Sequence, residues 1–527
     1  MIKNTENSTP RTWGNTFLPK SKPPSRSLIL VDTRGLSPQV RIALACLQGL
    51  TSREKPQIWL HMSNRDPQWL DWHREKGYID GYNKVDDLPS LFHKFKNAYR
   101  GAIIPDPELY RGELLAANIA SCENLIIATP ELVQELNIPV IMDLRERFNT
   151  YADGMEWVWD NYRDQLNHHL CNFMHPDRLS NGAFAYDIQW KSILFWIVGK
   201  VDSAEAGSNM ERETELVARI MGEMAPNVPV LGFPYAGEGV GPGEVNGVTL
   251  ASKYAKPLVC TDSLANACVM SGIQIDRLEQ KKLTPPPLEK DKIYIALNMS
   301  DGDNQNIWLA FYKPYFQNEN YGKFPLAFGM GPPIMDLMPG VAQWYYENAA
   351  YNTEFFADVS GIGYIQPKNY ALNYRERDEV FNGFLNWTDI YMEKMDMSTL
   401  RTVGGEDEIL SRYAEKLPHL HSIFADMGRY SGREGIDNLT YMLGNMPIFR
   451  SVTSWRYGKD GFIRELHEQI GQKRPAFVNG FVHCWTFNSM EIITREIYDK
   501  RSDDMVFVTP RQLAELYKQA RELGLVK

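Results

Sequence analysis

The chain has no apolar run approaching the ~20 residues that a membrane-spanning helix needs. Its densest stretch, Ser192-Ile-Leu-Phe-Trp-Ile-Val198, is far shorter and reads as a buried strand or helix core. Residues 1–26 lack the apolar core of a secretion signal. They carry Pro10, Pro19, Pro23 and Pro24, so they read as a flexible arm, and a cytoplasmic location is the expectation. Lys and Arg do not run beyond short pairs, and the formal net charge is -10. That argues against nucleic acid or an anionic membrane as the main partner. The six cysteines (Cys46, Cys122, Cys171, Cys260, Cys268, Cys484) contain no C-x-x-C pair and read as buried free thiols. His419 and His421 alternate as along a strand, a spacing unlike that of paired zinc ligands, which disfavours a zinc site or a metal-dependent deacetylase. No metal and no other cofactor is expected.

What remains is a large, ordinary globular composition. A chain of 527 residues with 43% hydrophobic content buries a core easily and is long enough for two to four domains. Thirteen Trp and twenty-six Tyr make it aromatic-rich. Most such rings pack cores, and the sharper use is stacking on flat ligand faces, including sugar rings.

The pattern along the chain is α/β. Ser27–Asp32 and Gln57–His61 read as strands around a helix at Ser37–Leu50. A second unit runs from Gly101–Pro105 through a helix at Leu114–Ser121 to Leu125–Ala128 and Ile138–Asp143. Tyr151–Cys171 reads as helical. A third unit has a helix at Glu211–Met224 and a strand at Val228–Gly232, where Pro229 and Pro234 suggest an edge position. The glycine-rich loop Gly237–Gly247 is followed by no Lys-Ser/Thr, so it is no phosphate loop. These divisions give an arm at 1–26, small α/β domains at 27–97, 98–150 and 151–280, and a linker at 281–288. Three consecutive prolines, Pro285 to Pro287, stiffen that linker.

Residues 289–527 read as a (β/α)8-type barrel. Strand candidates are Ile293–Met299, Pro325–Phe328, Glu354–Ala357, Leu400–Val403, Ser422–Ala425, Pro447–Arg450, Ala476–Val482 and Met505–Val508. Helical segments separate most of them, and the count and length fit a barrel, with a seven-stranded version open. Barrel enzymes keep their sites at the C-terminal strand ends. There this chain carries Asp301-Gly-Asp-Asn304, Asp358, Gly404-Gly-Glu406, Asp426, Thr453-Ser-Trp-Arg456 and His483-Cys-Trp485. Two carboxylates closing a buried strand are electrostatically costly, and proteins often use such a cost for chemistry. Glycoside hydrolysis needs a protonated and an ionised carboxyl group. Asp301 and Asp303 are the candidate catalytic pair, with Asp426 and Glu406 in reserve and Asp336 and Asp358 as further acids. Helix capping is the plain alternative for any one of them. A phosphoaspartyl enzyme is disfavoured by Asn304 and Gln305, and an EF-type calcium loop by its spacing. Metal-dependent glycosyl or phosphoryl transfer stays open, as does a silent carbohydrate-binding or scaffold protein. Candidate sugar contacts are Asn304, Trp308, Gly361, Gly363, Tyr364, Gln366, Trp455, His483 and Trp485, and the expected partner is an oligo- or polysaccharide.

Gly361-Ile-Gly-Tyr-Ile-Gln-Pro367 resembles the G-x-G-Y-x-Y-P signature of the GxGYxYP family, to which a glycoside-hydrolase role is ascribed. Ala43–Leu60, Ser300–Asn304 and Gly444-Asn-Met-Pro447 are similar to that family as well. The resemblance runs from about residue 27 to the end. It implies several small N-terminal α/β units before a barrel-like domain and a sugar-related role, and it names no catalytic pair. Its second tyrosine is Gln366 here, which bonds a hydroxyl but stacks poorly. A secretion signal would also suit the family's association with extracellular polysaccharides.

Overall fold

The computed structural model describes residue 2 and residues 13–197, 208–234, 243–426, 436–453 and 456–526. The chain forms two compact units. One holds residues 1–275, 335–340 and 371–380; the other holds 276–334, 341–370 and 381–527. No helix among the described residues is long and apolar enough to cross a membrane. All six cysteines are buried, and none forms a disulfide.

The first unit contains three small parallel sheets. In one, Ser27–Asp32 lies between Ile58–His61 and Gly81–Lys84. In the next, Gly101–Ile104 lies between Leu125–Ile127 and Val140–Asp143. In the third, the order is Leu258–Val259, Val230–Gly232, Cys171–Phe173, Ile193–Phe195. Parallel pairing requires crossovers, and helices such as Pro38–Ser52 supply them while burying an apolar face.

Three local expectations need correction. Gly81–Lys84 is a strand that the sequence hid, because Gly-Tyr-Asn-Lys is mostly exposed and lacks an apolar alternation. The helix at Tyr151 stops at Tyr162, and Cys171 belongs to a strand. Between them Asn167 accepts from the backbone N–H of His169 at 2.9 Å, a local turn that competes with helix. Val230–Gly232 is an interior strand, not an edge, because both prolines flank it and neither interrupts a ladder bond.

The second unit is an α/β barrel. Seven parallel strands close on themselves: β1 (Ile293–Met299), β2 (Leu326–Met330), β3 (Thr353–Ala357), β4 (Thr399–Val403), β5 (Ser422–Asp426), β6 (Met446–Val452) and β7 (Ala476–Val482). A short strand, Thr440–Leu443, adds to β6 as an antiparallel hairpin. The eighth candidate, β8 (Met505–Phe507), pairs only with Ile293–Ile295 at the start of β1. Farther along, Asn298 and Met299 of β1 pair with β2 instead. The eighth strand therefore wedges into the barrel's N-terminal end, and seven strands line the C-terminal mouth.

Side chains alternate in and out along each strand. At the N-terminal end the inward set is aromatic: Tyr294, Phe424, Phe449 and Phe477 pack with Leu513, Leu516 and Tyr517 of the final helix, Pro510–Glu522. Tyr294 stacks on Phe477 at 5.3 Å, and Phe477 meets Tyr517 at 5.4 Å. This helix plugs the bottom of the barrel. The same faces carry Asp426, Ser451 and Asn479 two positions on and Asn298 four positions on, so the interior changes from an aromatic floor to a polar mouth.

The plug carries a testable load. Leu516 is fully buried against that floor, and Leu516→Ala should cost about 2–5 kcal/mol in urea unfolding. Leu523, 68% exposed just past the helix, should tolerate alanine within ~0.5 kcal/mol. Equal costs at the two positions would contradict the plug.

Candidate functional site

The first strand delivers its two acids on a clamped loop. The space a Cβ of Gly302 would need is taken by the carbonyl of Gly329, so only glycine fits there. The Gly302 carbonyl accepts from the Gly331 N–H at 2.7 Å and from the Trp308 indole at 2.8 Å. The Tyr312 hydroxyl donates to the Ser300 carbonyl. Asn304 caps the following short helix, accepting from the Asn306 backbone N–H at 3.1 Å. Asp301 itself sits in the left-handed region at φ 70. Asp301 and Asp303 thus flank a fixed point, and both remain half-buried rather than sealed.

Trp308 and Asn304 are therefore builders of this loop. The Trp308 ring is fully buried among Tyr312, Phe328, Tyr345 and Phe355 and has no face to offer a sugar. Its expected role as a contact is corrected to a positioning one. Asp336 is buried within the first unit, where it accepts from the Leu18 N–H at 2.9 Å.

Beneath Asp301 and Asp303 runs a chain of hydrogen bonds that crosses the barrel. Asn298 on β1 donates to Asn479 on β7, whose amide donates to Ser451 on β6 at 3.0 Å. Ser451 donates to Asp426 at the end of β5. Arg401 on β4 donates through Nη1 to Asp426 and through Nε to Asp358, the residue after β3. Strand β2 contributes Gly329, and its missing side chain leaves room for Asp358, whose Oδ2 would lie 2.4 Å from a Cβ there. The Arg401 guanidinium also lies 5.3 Å over the Phe481 ring.

Burial sets the electrostatics. Asp358 is wholly buried, and burial drives its carboxyl pKa upward; Arg401 opposes the rise, while Asp426 and Asp301 add to it. Burial works against the Arg401 charge too, but Asp358 and Asp426 outweigh it and hold the guanidinium firmly cationic. Asp303 also contributes to that stabilisation. The proton on Asp358 is thus the negotiable one in this group. Asp301, Asp303, Asp358, Asp426 and Arg401 feel one another across a single mouth.

The loop after β7 meets the loop after β1. The Trp485 indole donates to Asp301 Oδ2, and its ring lies 4.9 Å from Phe311. Trp485 is nevertheless 54% exposed. His483 is half-buried, with Nδ1 3.1 Å from the Thr486 hydroxyl.

The glycine-tyrosine loop follows β3 directly. Gly361 has φ 134, and a Cβ there would come within 2.5 Å of the Thr388 hydroxyl. That hydroxyl accepts from the Ile362 N–H at 3.0 Å. Ser360 ties the loop to β4, its hydroxyl accepting from the Val403 N–H at 3.1 Å. Gly363 is buried, and Tyr364 and Gln366 are half-buried. Gln366 accepts from the Asn369 amide at 2.7 Å. Next to it, Lys368 pairs with Glu406 at 2.9 Å, and this contact draws the Glu406 pKa down. Glu406 is exposed and stands outside the Arg401 network. Trp455 lies outside the described residues. No group of three or more His, Cys, Asp or Glu among the described residues is placed to hold a metal ion.

Sequence reasoning focused on strand ends and missed Arg401, Asn298, Ser451 and Asn479. The signal lay one to three residues inside the strand ends, at inward positions that carry polar groups. Arg401 in Thr399-Leu-Arg-Thr-Val403 is such a position.

Four family models match the chain. They are the "GxGYxYP putative glycoside hydrolase C-terminal domain" at 291–518, the third domain at 168–272, the second at 99–166 and the first at 27–97. A crystal structure of a "putative hydrolase" from Bacteroides thetaiotaomicron is 22% identical, with 95% of this chain and 96% of that one covered at a TM-score of 0.79. That likeness establishes the fold. A "putative polysaccharide deacetylase" from Mycobacterium smegmatis is 10% identical over 47% of this chain and 96% of its own, at a TM-score of 0.33 too low to carry an argument. No curated protein matches.

Removing the guanidinium tests the buried network. In Arg401→Met, Asp358 loses the cation that opposes its burial and keeps its proton to higher pH in the folded state than in the unfolded chain. The folded state then binds more protons between the ordinary carboxyl pKa and the raised one, so stability falls as pH rises through that window. The expected cost is about 3–5 kcal/mol near neutral pH, shrinking as the pH approaches ~4. Urea unfolding across that range checks it, and a cost independent of pH would refute the assignment.

Proposed function

We propose that this chain, which belongs to the GxGYxYP family across all four of its domains, hydrolyses glycosidic bonds at the mouth of its seven-strand barrel. One observation carries the reading. Two half-buried carboxylates, Asp301 and Asp303, are held on a clamped loop beside an exposed tryptophan that is bonded to one of them. Glycoside hydrolysis needs that combination: a carboxyl group to protonate the leaving oxygen, a carboxylate to attack or to activate water, and a surface that orients the ring.

Asp301 and Asp303 are the catalytic pair in this reading. Trp485 offers its exposed face to a pyranose ring, whose C–H groups pack on an aromatic surface. Asp426 is a positioning residue, since one oxygen is taken by Arg401 and the other by Ser451. Arg401 positions in turn, holding Asp358 and Asp426 beneath the pair. Tyr364, Gln366 and His483 lie on loops around the mouth and can bond sugar hydroxyls. With Gln366 in place of the family's second tyrosine, an amide donor and acceptor replaces a stacking ring, and the preferred sugar shifts accordingly. The family's description supports a hydrolase, and the barrel supports a site at the strand ends.

Asp301→Asn is the direct test, because asparagine tolerates the left-handed backbone at φ 70. Release of reducing ends from an oligosaccharide panel should fall at least ~100-fold in Asp301→Asn and in Asp303→Asn. Melting temperatures should stay within ~2 °C of the parent. Full activity in either variant removes that residue from the mechanism. Binding of saccharides by the parent protein with no product over days would make it a carbohydrate-binding protein instead.

A further inference from the structure

Among the described residues at the barrel mouth, carboxylates outnumber the guanidinium that holds them. Among the described residues, one guanidinium, Arg401, serves four carboxylates that interact there: Asp301, Asp303, Asp358 and Asp426. Arg401 is already committed to two of them. Asp358 is 0% exposed, and its Oδ2 has no hydrogen-bond partner among the described residues. That oxygen points into the inward volume in front of Gly329, at the top of the barrel. A buried oxygen without a donor is costly, and it marks a place where positive charge or a donor is wanted.

The second observation is aromatic. Trp485 is pinned through its indole N–H to Asp301, yet it leaves over half of its surface open. Its free face thus stands open to solvent beside a carboxylate. Aromatic faces flanked by carboxylates are how proteins hold ammonium groups. Ionised carboxylates only accept hydrogen bonds, and an ammonium only donates them. A neutral sugar brings more acceptors than donors, and an acetamido sugar adds a further acceptor. A free amino sugar is the ring whose substituent matches this mouth.

We propose that the glycan taken by this site carries unsubstituted amino groups, and that its ammonium is drawn to Trp485 and the carboxylates around it. The inference rests on the hydrolytic reading of the same mouth and adds the class of sugar. Long-range attraction by these carboxylates would concentrate such a polycation, and added salt would weaken it.

Calorimetry on the full chain tests this with matched oligomers. Glucosamine and galactosamine oligomers are compared with their N-acetylated forms and with neutral oligomers of the same linkage, at a pH where the amine is protonated. The amino forms should bind at least ~10-fold more tightly at low salt, and the advantage should shrink as salt is raised. Equal or tighter binding of acetylated or neutral oligomers overturns the inference, as does failure of every amino oligomer to bind. Product analysis on the same mixtures separates the two readings. Selective binding of amino oligomers without cleavage upholds the sugar class and contradicts hydrolysis. Cleavage of neutral oligomers with amino forms ignored upholds hydrolysis and contradicts the sugar class.

Discussion

A guanidinium buried between two carboxylates is the constraint on which the barrel's upper half depends. Arg401 joins the residue after β3 to the end of β5 through its own position on β4. A charge in such a place is tolerated only when paired and bonded, and removing one member leaves the others stranded. The pairing therefore fixes the heights and directions of three neighbouring strand ends. Ser451, Asn479 and Asn298 extend the same network to β6, β7 and β1. Below, the aromatic floor and the final helix close the barrel, so this polar layer opens toward the mouth alone.

The mouth inherits its rigidity from that layer and from two glycines. Gly302 lets the β1 loop press against the carbonyl of Gly329, and Gly329 leaves space for Asp358. Neither position has room for a methyl group. Asp301 and Asp303 are thereby presented from a fixed loop, with Trp485 reaching across from β7. The partial insertion of β8 at the opposite end keeps the mouth at seven strands without disturbing these contacts. Chemistry and stability are separated by height within one barrel: apolar at the base, ionic at mid-level, and half-open carboxylates at the top.

Much of this was legible in the sequence where local physics and tertiary structure agree. All eight barrel strands were readable, because buried parallel strands are apolar and β-branched and are separated by amphipathic helices. Their partnership was less so: that β8 would pair with only three residues of β1 is a matter of closure geometry, which no local pattern carries. Asp301, Asp303 and Trp485 were visible as polar groups at strand ends. Trp308 was misjudged because a tryptophan near a site looks the same in sequence whether its face is buried or free. Glu406 sits at a strand end like the others, but its side chain turns to Lys368. Arg401 was invisible for a related reason. A lone arginine in a strand reads as an exposed residue until its partners, 43 and 25 positions away, are brought beside it.

The ionic layer, the clamped acids and the exposed indole together are what the proposal of a sugar-binding mouth at the strand ends rests on. A crystal structure of the full chain with an oligosaccharide bound tests that claim most directly. The account predicts a sugar ring stacked on Trp485, with a carboxyl oxygen of Asp301 or Asp303 roughly 3 Å from a glycosidic oxygen or from the water poised to attack. A saccharide bound elsewhere on the molecule, with the mouth empty, would contradict it.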